Sequence, residues 1–160
     1  MQYIDNFLTT HFWLVWFLCF GFALTFNLVK GRKAYRLFSD LDYSKVIYTK
    51  RMVSGYSTKS IWTKLGGARN VLEVLVTDTE LIIKTNMFFA SIASLYDLLH
   101  RIPLNRILKM EVKPGIVQKP GLHITFKGKH DELKEVVIMS KDVSQIHAVL
   151  QKALHFPQST

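Results

Sequence analysis

From Phe12 to Val29 the chain reads FWLVWFLCFGFALTFNLV, 18 residues without a charged side chain. A chain of 160 residues has few ways to accommodate such a run. Extended back to Phe7 it covers 23 residues, interrupted only by Thr9, Thr10 and His11. As a helix rising about 1.5 Å per residue it reaches roughly 34 Å, enough to cross a hydrocarbon core of about 30 Å. Trp13, Trp16 and the phenylalanines suit a segment that meets both lipid chains and their interface. A buried core helix would alternate apolar and polar faces, whereas this run is apolar all round. A signal peptide would open with positive charge, but residues 1–11 hold no Lys or Arg and include Asp5. No small-x-small cleavage site follows. A lipid-modified Cys19 is excluded by the bulk of Trp16, Phe17 and Leu18 before it. The run is therefore expected to be a retained membrane anchor, residues 1–30.

Charge sets the expected orientation. All 21 Lys and Arg lie at position 30 or beyond, beginning with Lys30, Arg32, Lys33 and Arg36. Of the 12 acidic residues only Asp5 precedes them, so 21 cations face 11 acids there, a net +10. Cations gather on the cytoplasmic side of a span. The expected topology is single-pass in a cell inner membrane, with the N-terminus outside and the rest cytoplasmic. Cys19 is the only cysteine, which precludes an internal disulfide and fits a reducing compartment.

Residues 31–58 read as a basic connector, part of which can prolong the helix. Ser39, Asp40 and Asp42 form a turn-like set to end it. From about residue 59 the hydrophobic period becomes two. Leu72, Val74 and Val76 share one strand face, Thr77–Thr79 turns, and Leu81, Ile82 and Ile83 start the return. Leu108, Met110 and Val112 oppose Lys109, Glu111 and Lys113 until Pro114 and Gly115 break the run. Leu122, Ile124 and Phe126 alternate with His123, Thr125 and Lys127. Gly128–Glu132 reads as a hairpin tip, and Glu135–Met139 returns. The period then becomes helical at Val143, Ile146, Val149, Leu150 and Leu154. Ser140 and Asp142 suit its start, Lys152 and His155 its end, and Pro157 its limit. The expected domain is residues 59–155, with a tail at 156–160.

Strands first and one helix last is the order of the pleckstrin-homology-like barrel. The stretch GGARNVLEVLVTDTELIIKTNMFF from Gly66, followed by LLHRIPLNRI from Leu98, resembles bacterial membrane-anchored proteins that carry such a domain. The resemblance covers about residues 59–113, with a weaker match to 154. It implies an α+β chain: one transmembrane helix, then an antiparallel β-barrel capped by a C-terminal helix. It also implies loops at the barrel's open end that bind membrane lipids or peptides. Lys59, Lys64 and Arg69 fall roughly where phosphoinositide-binding relatives carry a basic cluster, but they do not form the dense motif.

No constellation points to catalysis. The histidines of the soluble part lack HxxxH or HExxH spacing and a cysteine partner, so neither a metal nor a cofactor is expected. Gly66 and Gly67 lack the Lys-Ser/Thr of a phosphate loop, and no serine sits in a nucleophile elbow. The acids Asp78, Glu80, Asp131 and Glu132 read as solvated turns. A nucleic-acid role has charge but no recognition motif. Met87–Leu99, MFFASIASLYDLL, is more apolar than a strand connector needs to be. Packing on the barrel is the favoured reading. The other is an exposed contact surface with Phe88, Phe89 and Tyr96 as anchors. The chain is thus expected to be a non-enzymatic, membrane-anchored binding module for an anionic lipid or a protein partner. The alternative is an accessory subunit whose helix packs on a larger membrane protein.

Overall fold

The structure, a computed structural model, describes residues 11–65, 67–114 and 119–155. Gly66, Gly115, Pro157 and the flank before His11 lie outside those residues. The elements run α1 (Phe12–Tyr35), β1 (Val46–Ser57), α2 (Ile61–Leu65), β2 (Ala68–Thr77), β3 (Glu80–Thr85), α3 (Ala90–Leu95), β4 (His100–Pro103), β5 (Ile107–Lys113), β6 (Gly121–Lys127), β7 (Leu133–Met139) and α4 (Val143–His155).

Helix α1 holds the uncharged run and continues past it, as the connector reading allowed. A 3-10 turn at Arg36–Phe38 ends it. Asp42 then accepts the Ser44 N–H at 3.0 Å, starting the next short turn. None of the apolar window of α1 is buried against the rest of the described protein. Packing therefore gives no reason for its sequence.

The strands form one antiparallel sheet in the order β4-β3-β2-β1-β7-β6-β5. With α4 after the last strand, this is a pleckstrin-homology-like fold. The sheet does not close, because β4 and β5 are its edges and no ladder joins them. Its core gathers Val53, Leu72, Val74, Val76, Leu81, Ile83, Ile102, Leu122, Ile124, Phe126, Val136 and Ile138 with Val143, Ile146 and Leu150 of α4. The period-two faces read from sequence on β2 and β6 point into this cluster, as do Val143, Ile146, Val149 and Leu150 of α4, while Leu154 is exposed.

Three local expectations need correction. Residues 46–57, read as connector, form β1, the central strand, so the domain begins before residue 59. Alternation hides β1 because a bulge interrupts its pairing with β2 between Lys50 and Val53. Met52 sits in that bulge with φ 57°, a left-handed conformation uncommon for a side-chain-bearing residue. Second, His100–Pro103 is a strand in its own right, β4, rather than a lead-in to the next one. Third, the expected inward face of β5 is wrong at Leu108. A register shift between Ile107 and Lys109 moves that residue out, leaving it exposed; Ile107 and Met110 pack on the core, and Val112, expected inward as well, is exposed.

A second, smaller cluster lies on the opposite face of β2 and β3. Phe38 packs with Leu75 and Ile82, flanked by Tyr35, Leu41, Val46 and Leu99. The end of α1 thus covers sheet surface that would otherwise be bare. Arg101 of β4 reinforces this junction. Its guanidinium donates to both Glu80 carboxylate oxygens, to Asp40 at 2.6 Å and to the Leu37 carbonyl at 3.4 Å. The hydrogen bonds to Glu80, then Asp40, raise the Arg101 pKa further above its ordinary value.

Candidate docking surface

Register places three loops at one end of the sheet. Gly55 pairs with Ala68, Leu72 with Thr85 and Ile83 with His100, so the β1–β2 and β3–β4 connections share that end. The Thr58 N–H donates to the Glu135 carbonyl at 3.1 Å, which brings the β6–β7 hairpin alongside. The Thr77–Glu80 turn occupies the far end. A pocket of about 480 Å³ opens between the three loops, lined by Ser57–Lys59, Asp97 and Glu132–Glu135.

The pocket is close to balanced in charge. Lys134 lies 3.4 Å from Asp97 and 3.7 Å from Glu132, so its charge is already answered. His123 Nδ1 meets Glu135 at 2.8 Å. Burial works to raise the Glu135 carboxyl, but hydrogen bonds from His123 and Thr58 outweigh it and hold it below its ordinary value. No dense basic cradle for a polyphosphorylated headgroup is present among the described residues. None of them forms a group of three or more His, Cys, Asp or Glu that could hold a metal ion.

The outward surface of the same end differs. Lys59 and Lys64 are exposed on the β1–β2 connection, with Arg69 at the start of β2, and none has an acidic partner among the described residues. Between the lysines, α2 presents Ile61 and Trp62, the latter 80% exposed. Leu133 adds an exposed apolar side chain on the β6–β7 hairpin. The cations are legible in the sequence as charge, whereas Ile61 and Trp62 carry no periodic signal. A tryptophan between two lysines in a loop was the available signal.

The Met87–Leu99 segment divides. It does form a short helix, α3, and Ala90, Ser91 and Ala93 are buried. Much of that burial is against α1. Ser91 Oγ donates to Asn27 Oδ1 at 2.8 Å, while Asn27 Nδ2 donates back to the Ala23 carbonyl at 2.9 Å. Gly31 makes this approach possible, since a Cβ there would stand 2.6 Å from the Met87 carbonyl oxygen. Phe88 is 53% exposed, so the core reading fails for it, while Phe89 is half-buried and meets the Phe88 ring edge-on at 5.3 Å between centroids. Tyr96 does pack on the core. Asp97 follows it at φ 51°. The Leu98 N–H reaches the Ala93 carbonyl at 2.9 Å and the Asp97 N–H the Ser94 carbonyl at 3.1 Å, a Schellman end to the helix.

His100 lies under this rim, buried, with Nε2 2.7 Å from the Asp97 carbonyl. Burial holds its pKa below the ordinary 6.5. The folded state therefore keeps His100 neutral where the unfolded chain takes up a proton. Stability from this group is complete above about pH 6.5 and is lost as pH falls toward the depressed folded value. Urea midpoints are expected to fall between pH 7.5 and 5.5, and to fall less in His100→Gln, whose amide can still donate to Asp97. Equal slopes in the two proteins would assign the loss elsewhere.

Strand order and the capping helix are those of a pleckstrin-homology-like fold, here joined to a long apolar helix. No protein-family profile matches the chain, and no curated protein matches it. It is similar to a chain in the complex of PDZ-RhoGEF DH/PH domains with GTPγS-activated RhoA. The identity is 14% and the TM-score 0.47, over 82% of this chain and 38% of that one. It is likewise similar to a chain in the ternary complex of human RhoA, its inhibitor and the DH/PH domain of human ARHGEF11. There the values are 15% and 0.47, over 80% of this chain and 36% of that one. This protein thus spans little more than a third of either chain's length.

Proposed function

We propose that this protein is a non-catalytic docking module held at a membrane by α1, with the loop rim turned toward the lipid surface. One observation supports it above the rest: α3, which belongs to the rim end, packs on the last turns of the apolar helix. The rim, with Lys59, Lys64, Ile61 and Trp62, therefore lies toward the bilayer, and the Thr77–Glu80 turn points away. Lys30, Arg32, Lys33 and Arg36 would sit at the headgroups, where each cation near an anionic leaflet contributes about 1 kcal/mol. The aromatic and aliphatic side chains of α2 suit the interface beneath them. A protein partner at the same rim is the competing outcome.

A fragment beginning at Asn27 keeps the end of α1 and all four flanking cations. It is expected to bind vesicles containing phosphatidylglycerol, with binding lost as salt rises. The triple change Lys59→Ser, Lys64→Ser and Trp62→Ser should reduce that binding severalfold without altering the melt. Equal binding to neutral vesicles would remove the electrostatic role. No binding in either case would favour a protein partner.

The charge asymmetry supports a cytoplasmic domain in a cell inner membrane. A C-terminal fluorescent fusion is expected to glow and a C-terminal periplasmic reporter enzyme to stay inactive. The opposite pair of results would invert the orientation.

A further inference from the structure

Among the described residues, nothing covers the outer face of α3. Phe88, Ile92 and Leu95 recur at helical spacing, exposed by 53%, 46% and 73%, with Met87 beside them. The inner face carries the small residues Ala90, Ser91 and Ala93, which fit against α1 and the sheet. A short amphipathic element normally turns its apolar face inward. Here the larger apolar side chains point out.

We propose that α3 is a second membrane contact, a foot lying in the lipid interface beside α1 and pinned there by Asn27, Ser91 and Gly31. The inference rests on the reading of α1 as a membrane anchor. Three features favour lipid as the occupant of this face. First, α3 meets α1 at Asn27–Gly31, where the uncharged run gives way to cations. Its level is then that of the boundary between acyl chains and headgroups. Second, its exposed side chains add to an apolar surface that α1 also presents, where Phe22, Phe26 and Val29 are exposed. Third, Lys30, Arg32 and Lys33 flank Gly31 in the sequence, so positive charge accompanies the junction and matches anionic headgroups.

The contact itself is built as helix contacts within lipid are built. A glycine lets backbones approach closely, and polar side chains satisfy one another across the gap. Asn27 leaves neither end of its amide idle: its oxygen accepts from Ser91 and its nitrogen donates to Ala23. An unpaired amide at this depth would be costly. The foot has a mechanical role. A single helix leaves a domain free to swing and spin, and a second point of contact fixes which face meets the membrane.

The test uses the full chain in vesicles of phosphatidylcholine and phosphatidylglycerol, with Cys19→Ser as background. Single cysteines at Phe22→Cys, Ile92→Cys, Leu95→Cys and Asp78→Cys carry an environment-sensitive fluorophore. Brominated lipids quench at shallow or deep positions, and aqueous iodide quenches from outside. The probes at 92 and 95 should be quenched severalfold more by shallow bromolipid than the probe at 78, and shielded from iodide. The probe at 22 should respond to deep bromolipid. Adding Gly31→Val, which drives a side chain into the Met87 carbonyl, should release 92 and 95 to iodide and leave 22 unchanged. If 22 responds to deep lipid while 92 and 95 behave like 78, the foot does not exist although the anchor does. If 92 and 95 escape both quenchers, protein covers the face and the lipid assignment is wrong. If 22 itself ignores lipid, the anchor reading fails first. Unchanged quenching in the Gly31→Val protein would overturn the pinning.

Discussion

Phe38→Ala in the fragment beginning at Asn27 should lower stability by about 3–5 kcal/mol, the usual cost of emptying a buried aromatic site. Phe38 is only 5% exposed and closes the second cluster over Leu75 and Ile82. A domain of this size holds roughly 5–15 kcal/mol in all, so the variant should melt far lower or fail to accumulate. Truncation carries the same expectation further. A fragment beginning at Ser44 lacks Tyr35, Phe38 and Leu41 together, baring Leu75 and Ile82 on the outer face of the sheet. It should aggregate where the longer fragment stays monomeric, as judged by light scattering and size exclusion. If the two fragments melt alike, the end of α1 is an accessory to the domain and the second cluster contributes little.

Gly55→Val should be at least as damaging. A Cβ at this position would lie 2.8 Å from the Val137 carbonyl oxygen and 3.0 Å from a Leu72 methyl. One neighbour is backbone in the β7 ladder and the other is core, so neither can move cheaply. Overpacking in a well-filled site commonly costs about 1–3 kcal/mol. Here the valine also opens the β1–β7 pairing, which runs only from Ser54 to Ser57. The expected result is a collapsed melting transition, or insoluble protein. Gly55→Ala should fall between this variant and the parent. Parent-like melting of Gly55→Val would mean that β7 sits further from β1 than described.

What the sequence disclosed follows from how local each signal was. Leu72, Val74 and Val76, or Leu122, Ile124 and Phe126, alternate without interruption, and both runs face the core. The helical spacing of Val143, Ile146 and Leu150 is equally self-contained. β1 escaped notice because its pattern breaks where Met52 bulges. Leu108 defies its alternation for the same reason, since the register shift between Ile107 and Lys109 turns it outward. The second cluster could not be read at all: Phe38 finds Leu75 and Ile82 only once the chain has folded back. At the rim, Lys59 and Lys64 were legible as charge, but the gathering of three loops into one surface is a matter of register. Phe88 departs from the expected packing because composition alone does not tell a buried aromatic from an exposed one.

The bulged central strand has a consequence for synthesis. β1 pairs with β2 through residues close behind it, but its second edge, Ser54–Ser57, waits for Val136–Met139. A chain emerging from the ribosome can form β1 to β4 early, while most of the residues that complete the sheet are still to be translated. During that interval one end of β1 offers unpaired backbone to any neighbouring strand, a known route to misassembly. If α1 has already entered the lipid, nascent chains are confined to two dimensions, where like edges meet more often. Slow decoding between Thr85 and Gly121 would lengthen the exposure, whereas rapid passage through β6 and β7 would close it.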